Sequence, residues 1–132
     1  MTEFFGFVDS GASTSLCNGN ENFLNYRSSN KTIGSAVNSV SLDAVGEGTL
    51  SLPVQATDGS TVYIEVEALH CSTARYNLVS VSSLLASGMN VIFGQDNSGV
   101  VECKDGRRIK LTYEGRKRLW RMNFKRVEDG LA

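Results

Sequence analysis

One histidine, one proline, one tryptophan and three cysteines are all that this 132-residue sequence holds of those four residue types. Each scarcity closes off a class of function. His70, the only imidazole, follows the alternating segment Val62-Tyr63-Ile64-Glu65-Val66 and reads as a strand end, so no serine- or cysteine-nucleophile system can be assembled around it. Cys17, Cys71 and Cys103 are odd in number, widely separated and without paired spacing; they read as reduced thiols and not as zinc ligands. No stretch approaches the roughly 18 apolar residues of a membrane span. Phe4 to Val8 is too short for a signal-peptide core and lacks a basic flank. The expectation is a cytoplasmic protein with no metal, no cofactor and no membrane contact.

A hydrophobic content of 41% with 20% charged residues describes a globular domain. At this length a single domain, residues 1–132, buries about two-thirds of its unfolded surface. Its charge is uneven. Residues 1–103 hold three basic and ten acidic groups, whereas Lys104 to Arg126 hold ten basic and two acidic. One reading is a solvated hairpin that complements its own acidic domain. The other is a nucleic-acid contact through Lys104 to Arg126, with Tyr113 and Trp120 as stacking groups. Interleaving with Ile109, Leu111, Leu119 and Met122 says that one face of this segment is packed.

Short apolar runs with polar spacers dominate the chain. Phe4 to Val8 reads as a first strand and Ser10 to Asn22 as a polar loop. Thr32 to Val45 reads as a glycine-containing hairpin turning at Asn38-Ser39. Leu50, Leu52 and Val54 alternate with polar residues, turn at Asp58-Gly59 and return through Val62 to Val66. Pro53 calls for an edge or a position that needs no ladder donor. The one helical segment is Val81 to Ser87, with Val81, Leu84 and Leu85 on one face and Gly88 placed to end it. Strands follow at Met89 to Phe93, Val100 to Cys103, Ile109 to Tyr113 and Leu119 to Met122. The sum is an all-β domain with one short helix, consistent with a closed barrel-like sheet.

The most informative residues are Asp9-Ser10-Gly11-Ala12-Ser13, directly behind the apolar run. A carboxylate where a buried strand gives way to a turn is costly to ionise without donors or a proton-sharing partner. Ser10 can bond back to backbone, and Gly11 admits positive φ and close approach. One reading is an Asx-type turn closing a hairpin. The other is half of an aspartic-protease dyad, in which two carboxylates share one proton. The chain carries one such loop, so a second would have to come from a second chain.

Read together, Phe7-Val8-Asp9-Ser10-Gly11-Ala12-Ser13, then Asn77-Leu78-Val79-Ser80-Val81-Ser82-Ser83-Leu84, then Gly88-Met89-Asn90-Val91-Ile92-Phe93 resemble the protease of Ty/copia-type LTR retrotransposons. Val45-Gly46-Glu47-Gly48-Thr49-Leu50 and Leu119-Trp120-Arg121-Met122 are similar to that family's strand after the flap and to its closing segment. The resemblance implies a retropepsin-like fold with a core over 4–94 and a basic β extension over 95–126. It implies a homodimeric aspartic endopeptidase that processes Gag and Gag-Pol polyprotein in virus-like particles. Asp9 matches the catalytic aspartate. Ser10, Gly11, Ala12 and Ser13 match the supporting loop, and Leu78 and Val79 the apolar pair behind it. Ile33 to Val45 match the flap, with Ile33, Gly34, Ser35, Ala36, Val37, Asn38, Ser39 and Val40 as its substrate-facing part. Where retroviral relatives place glycine and arginine after the apolar pair, this chain has Ser80 and Val81. Two rival readings stay open: a domesticated, non-catalytic protease-like dimer, and a basic β-module that binds nucleic acid.

Overall fold

Period-two alternation becomes strand nearly everywhere in the computed structural model, which describes residues 4–34 and 41–125. In chain order these are β1 (Phe5–Asp9), β2 (Ser15–Cys17), β3 (Phe23–Ser28), β4 (Thr32–Gly34), β5 (Ser41–Asp43), β6 (Gly46–Gln55), β7 (Thr61–His70) and β8 (Asn77–Ser80). Then come α1 (Val81–Ala86), β9 (Asn90–Phe93), β10 (Ser98–Glu102), β11 (Arg108–Glu114) and β12 (Leu119–Asn123). All but β4 and β5 form one sheet in the order β3-β6-β7-β2-β8-β1-β12-β11-β10-β9, while β4 and β5 pair as a separate hairpin. The domain is all-β with one short helix.

The long β6–β7 hairpin pairs continuously from Gly46↔His70 to Gln55↔Thr61. Leu50, Leu52, Val54, Ile64 and Val66 point inward, and Thr49, Glu65 and Glu67 point out. Each inward side chain is almost fully removed from water, which stabilises the fold by about 1.5–3 kcal/mol per residue relative to exposure. The turn needs glycine: Gly59 has φ +90°, and Asp58 Oδ1 accepts from the Ser60 N–H at 2.9 Å. Gly88 likewise ends α1 at φ +87°, with the Met89 N–H bonded back to the Leu84 carbonyl. Leu84 is fully buried, but Leu85 is 52% exposed, so the expected three-residue apolar face of the helix is narrower.

One core joins both ends of the chain. Val8, Leu52, Ile64, Val79 and Leu84 pack with Val101, Ile109, Leu111, Met122 and Phe124. β12 lies between β1 and β11, pairing Val8 with Trp120 and Gly6 with Met122. Gly6 is required there, because a Cβ would stand 2.9 Å from the Phe124 ring. A smaller cluster of Leu16, Ala44, Leu69, Cys71 and Ala74 lies under the β4–β5 hairpin, which adds Ile33 and Leu42 to it.

The sheet is not closed: among the described residues its order ends at β3 and β9. Single bonds carry the curvature round instead of a ladder. The Lys125 N–H donates to the Pro53 carbonyl at 2.7 Å, and the Thr57 N–H to the Arg108 carbonyl at 2.8 Å. The first bond accounts for Pro53. Its carbonyl faces away from β7, so its nitrogen does too, and no ladder hydrogen bond is lost. β2 and β8 fall in segments that lack alternation in the sequence, and β2 lies within what reads as a loop.

The shared core predicts that Met122→Ala lowers unfolding free energy by about 2–5 kcal/mol in a denaturant titration. A chain ended at Gly94 should lose its cooperative transition altogether, because β1 would forfeit its β12 neighbour. Cooperative unfolding of that shortened chain would contradict the packing described.

Candidate functional site

Asp9 is the last residue of β1, and its position is set by a parallel pairing with β8 that brings Asp9 opposite Ser80. β8 also pairs antiparallel with β2 through Leu16 and Leu78. A single strand therefore runs between the two strands that flank the loop at residues 10–14. The loop is held at both of its roots by one element.

Within the loop, the Gly11 N–H donates to Asp9 Oδ1 at 2.8 Å. This is an Asx turn, and it satisfies one carboxylate oxygen with a backbone donor. Asp9 is half-buried, while Ser10, Gly11 and Ser13 are exposed and Ala12 is partly so. Gly11 does not adopt positive φ, and a Cβ there would meet Asp9 Oδ1 at an ordinary 3.4 Å. Nothing within one chain demands glycine at that position. What glycine leaves there is an uncovered backbone beside the carboxylate.

Ser80 is the residue that fixes the loop, although no local motif marks it for that part. Its hydroxyl donates to the Ala12 carbonyl at 2.8 Å, meets the Ser82 hydroxyl at 2.8 Å and accepts from the Ser83 N–H at 3.4 Å. One proton and two lone pairs are thereby all used. Since the proton goes to Ala12, Ser82 is the donor in the serine pair. The Ser80 N–H in turn donates to Ser15 Oγ at 2.9 Å, and both serines are fully buried. At the other end of β8, buried Asn77 donates to the Phe5 carbonyl at 2.8 Å and accepts from the Asn18 N–H at 2.9 Å. The helix-capping role of Ser80 is visible in sequence as a serine before an apolar run. Its bond to Ala12, 68 positions away, is not.

Leu78 and Val79 lie on β8, beside β1, and turn to opposite faces of that strand. Val79 enters the main core beside Val8, and Leu78 packs on the smaller cluster. Ile33 stands on that same cluster with Leu42, so the base of the β4–β5 hairpin rests on the strands that carry the loop. Gly34 ends β4. Ser35, Ala36, Val37, Asn38, Ser39 and Val40, with the turn expected among them, lie outside the described residues.

Tyr113 and Trp120 are committed to their own chain. Their rings are 4.9 Å apart, Trp120 stacks on Phe93 at 5.2 Å, and it lies over Gly99, where a Cβ would come within 2.6 Å of the indole. His70 is the last residue of β7 and its Nδ1 meets the Tyr26 hydroxyl at 2.7 Å. Burial pushes the thiols of Cys17, Cys71 and Cys103 up, away from the thiolate form. Among the described residues no cluster of three or more His, Cys, Asp or Glu side chains could hold a metal ion, and no helix is long and apolar enough to cross a membrane.

Residues 7–89, more than half of the chain, match the family model described as Pol polyprotein, beta-barrel domain. The matched stretch contains the Asp9 loop, the β4–β5 hairpin and β8. No curated protein and no solved structure matches the chain.

Ser80→Ala should lower stability by about 1–3 kcal/mol, since it leaves the Ala12 carbonyl unpaired and removes the helix cap. Ser82→Ala, at an exposed position, should cost less than half of that. Equal midpoints for both variants in a denaturant titration would show that Ser80 does not fix the loop.

Proposed function

The chain belongs to the Pol polyprotein beta-barrel domain family, and on that premise we propose that it is the aspartic endopeptidase of a copia-type retroelement, active as a homodimer. The observation that carries this reading is the Asp9 loop itself. A carboxylate ends a buried strand, one of its oxygens is held by a backbone N–H, and the loop around it is anchored by a buried serine while its outer surface stays open. A turn that merely closed a hairpin would need no such anchorage.

One carboxylate per chain sets the stoichiometry. Two copies of the loop, meeting through the exposed Ser10 and Gly11 backbone, would bring two Asp9 side chains into contact. Like charges at that distance cannot both ionise, so the pair holds one proton. The ionised member takes a proton from a water held between them, the water attacks the scissile carbonyl, and the protonated member donates to the carbonyl oxygen. Ser10 would brace the two loops across the axis. The flap would cover an extended peptide, pairing with its backbone and excluding water. The substrate on this reading is the Gag and Gag-Pol polyprotein of the same element, cut in cytoplasmic virus-like particles.

Three outcomes follow. Asp9→Asn should abolish peptide cleavage without changing the unfolding free energy by more than about 0.5 kcal/mol, since the position is half-exposed. Specific activity should fall on dilution through the dimer dissociation constant, because only the dimer assembles the pair. The pH–rate profile should be bell-shaped, with both limbs belonging to the pair. Cleavage that survives Asp9→Asn in the purified chain would refute the reading.

A further inference from the structure

The basic segment divides its own cations into two sets. Arg107 pairs with Asp105 at 2.8 Å, Arg108 with Glu102 at 3.2 Å and Arg121 with Glu114 at 3.3 Å. Both acidic residues between Lys104 and Arg126, and the neighbouring Glu102, are thus occupied by arginines. Lys110, Arg116, Lys117 and Arg118 are exposed and meet no carboxylate among the described residues. Lys125 donates to the Thr61 hydroxyl at 2.9 Å and not to an acid.

Strand alternation places the first of the second set, Lys110, on the outer face of β11. Ile109 and Leu111 turn into the core, so Lys110 and Thr112 turn outward. Beside them a cleft of about 600 Å³ opens between the end of β6 and the β11–β12 face. Lys110, Thr112, Asn123 and Lys125 line it from one side, and Gln55 and Thr57 from the other. Its polar side chains are ammonium, amide and hydroxyl groups; no carboxylate lines it. At the far end of β11 the turn Gly115-Arg116-Lys117-Arg118 adds three cations, and six residues of strand-like chain place it about 20 Å from Lys110. The aromatic residues of this region, Tyr113 and Trp120, are engaged with each other and with Phe93.

We infer that the outer face of β11, from the Lys110–Lys125 cleft to the Arg116–Arg118 turn, binds the phosphodiester backbone of nucleic acid. Charge complementarity selects this partner: cations that meet no carboxylate stand at both ends of the face, the one acidic side chain between them, Glu114, is already neutralised by Arg121, and such an array suits phosphate oxygens spaced along a chain. Tyr113, on the opposite side of β11, Trp120 and Phe93 stack on one another, and the Tyr76 ring lies under the Lys117 ammonium at 5.8 Å, so contacts to phosphate carry the binding. Binding is therefore without base preference and strongly dependent on salt. It neither uses nor requires the Asp9 loop.

The test is fluorescence anisotropy of a labelled 16-nucleotide oligothymidylate against the full chain carrying Asp9→Asn, between 50 and 200 mM salt. Four to five cations predict a slope of log affinity on log salt of about −3. The double variant Lys110→Glu, Arg116→Glu should bind at least tenfold more weakly with a shallower slope. Arg27→Glu, on β3 outside this face, should stay within twofold of the parent. Lys110→Gln, Arg116→Gln supplies the same comparison should the charge reversals fail to fold. Equal losses for Arg27→Glu and the double variant would reduce the effect to net charge and overturn the assignment. So would a slope near zero, or displacement of the oligonucleotide by polyglutamate at equal charge concentration, which would mark an acidic-peptide site instead.

Discussion

The insertion of β8 between β1 and β2 is the constraint on which the rest depends. Through it a chain segment 68 residues distant settles where Asp9 stands, since Ser80 is at once the register partner of Asp9, the anchor of the Ala12 carbonyl and the cap of α1. One hydroxyl with every hydrogen-bonding capacity filled, buried beside Ser15, couples the loop to the core. Such networks tolerate little loss, because a buried polar group left without its partner costs more than the bond had contributed. The strand that organises the site is also the shortest route by which core packing reaches it: Val79 and Leu78 lock its two faces into different clusters.

A carboxylate held by a fixed loop whose outer surface is open is what a shared-proton pair needs from each of its members. Preorganisation of the loop means that meeting a second copy does not also have to order the chain. The uncovered Gly11 backbone fits the same picture. Within one chain no steric or dihedral demand selects glycine there, and on the proposed reading it leaves room for the second loop.

The outline of the fold was legible in the sequence wherever one face is buried and the other wet. The β6–β7 hairpin, the short helix and the strands around Ile109 and Met122 follow from alternation and turn residues alone. β2 and β8 were not legible because both lie inside the sheet, with neighbours on each side, and Ser15-Leu16-Cys17 carries no periodicity in three residues. The sheet's openness was not legible either, because closure depends on pairing between distant strands that local pattern does not encode. At the site, the carboxylate and its glycine were visible as a local motif. Ser80 was not legible as an anchor, since its contact with Ala12 exists solely through the topology. The ion pairs of the basic segment likewise set Arg107, Arg108 and Arg121 apart from its other described cations in a way that net charge conceals.

Mixing wild-type chain with the Asp9→Asn variant, at a total concentration well above dimer dissociation, tests the two-copy site most directly. With both carboxylates required, cleavage activity should fall as the square of the wild-type fraction, to about one quarter at equal amounts, since random pairing leaves only that share of dimers with two Asp9 side chains. A linear fall to one half would mean that each chain works alone, and would contradict the account of Asp9 as half of a shared site.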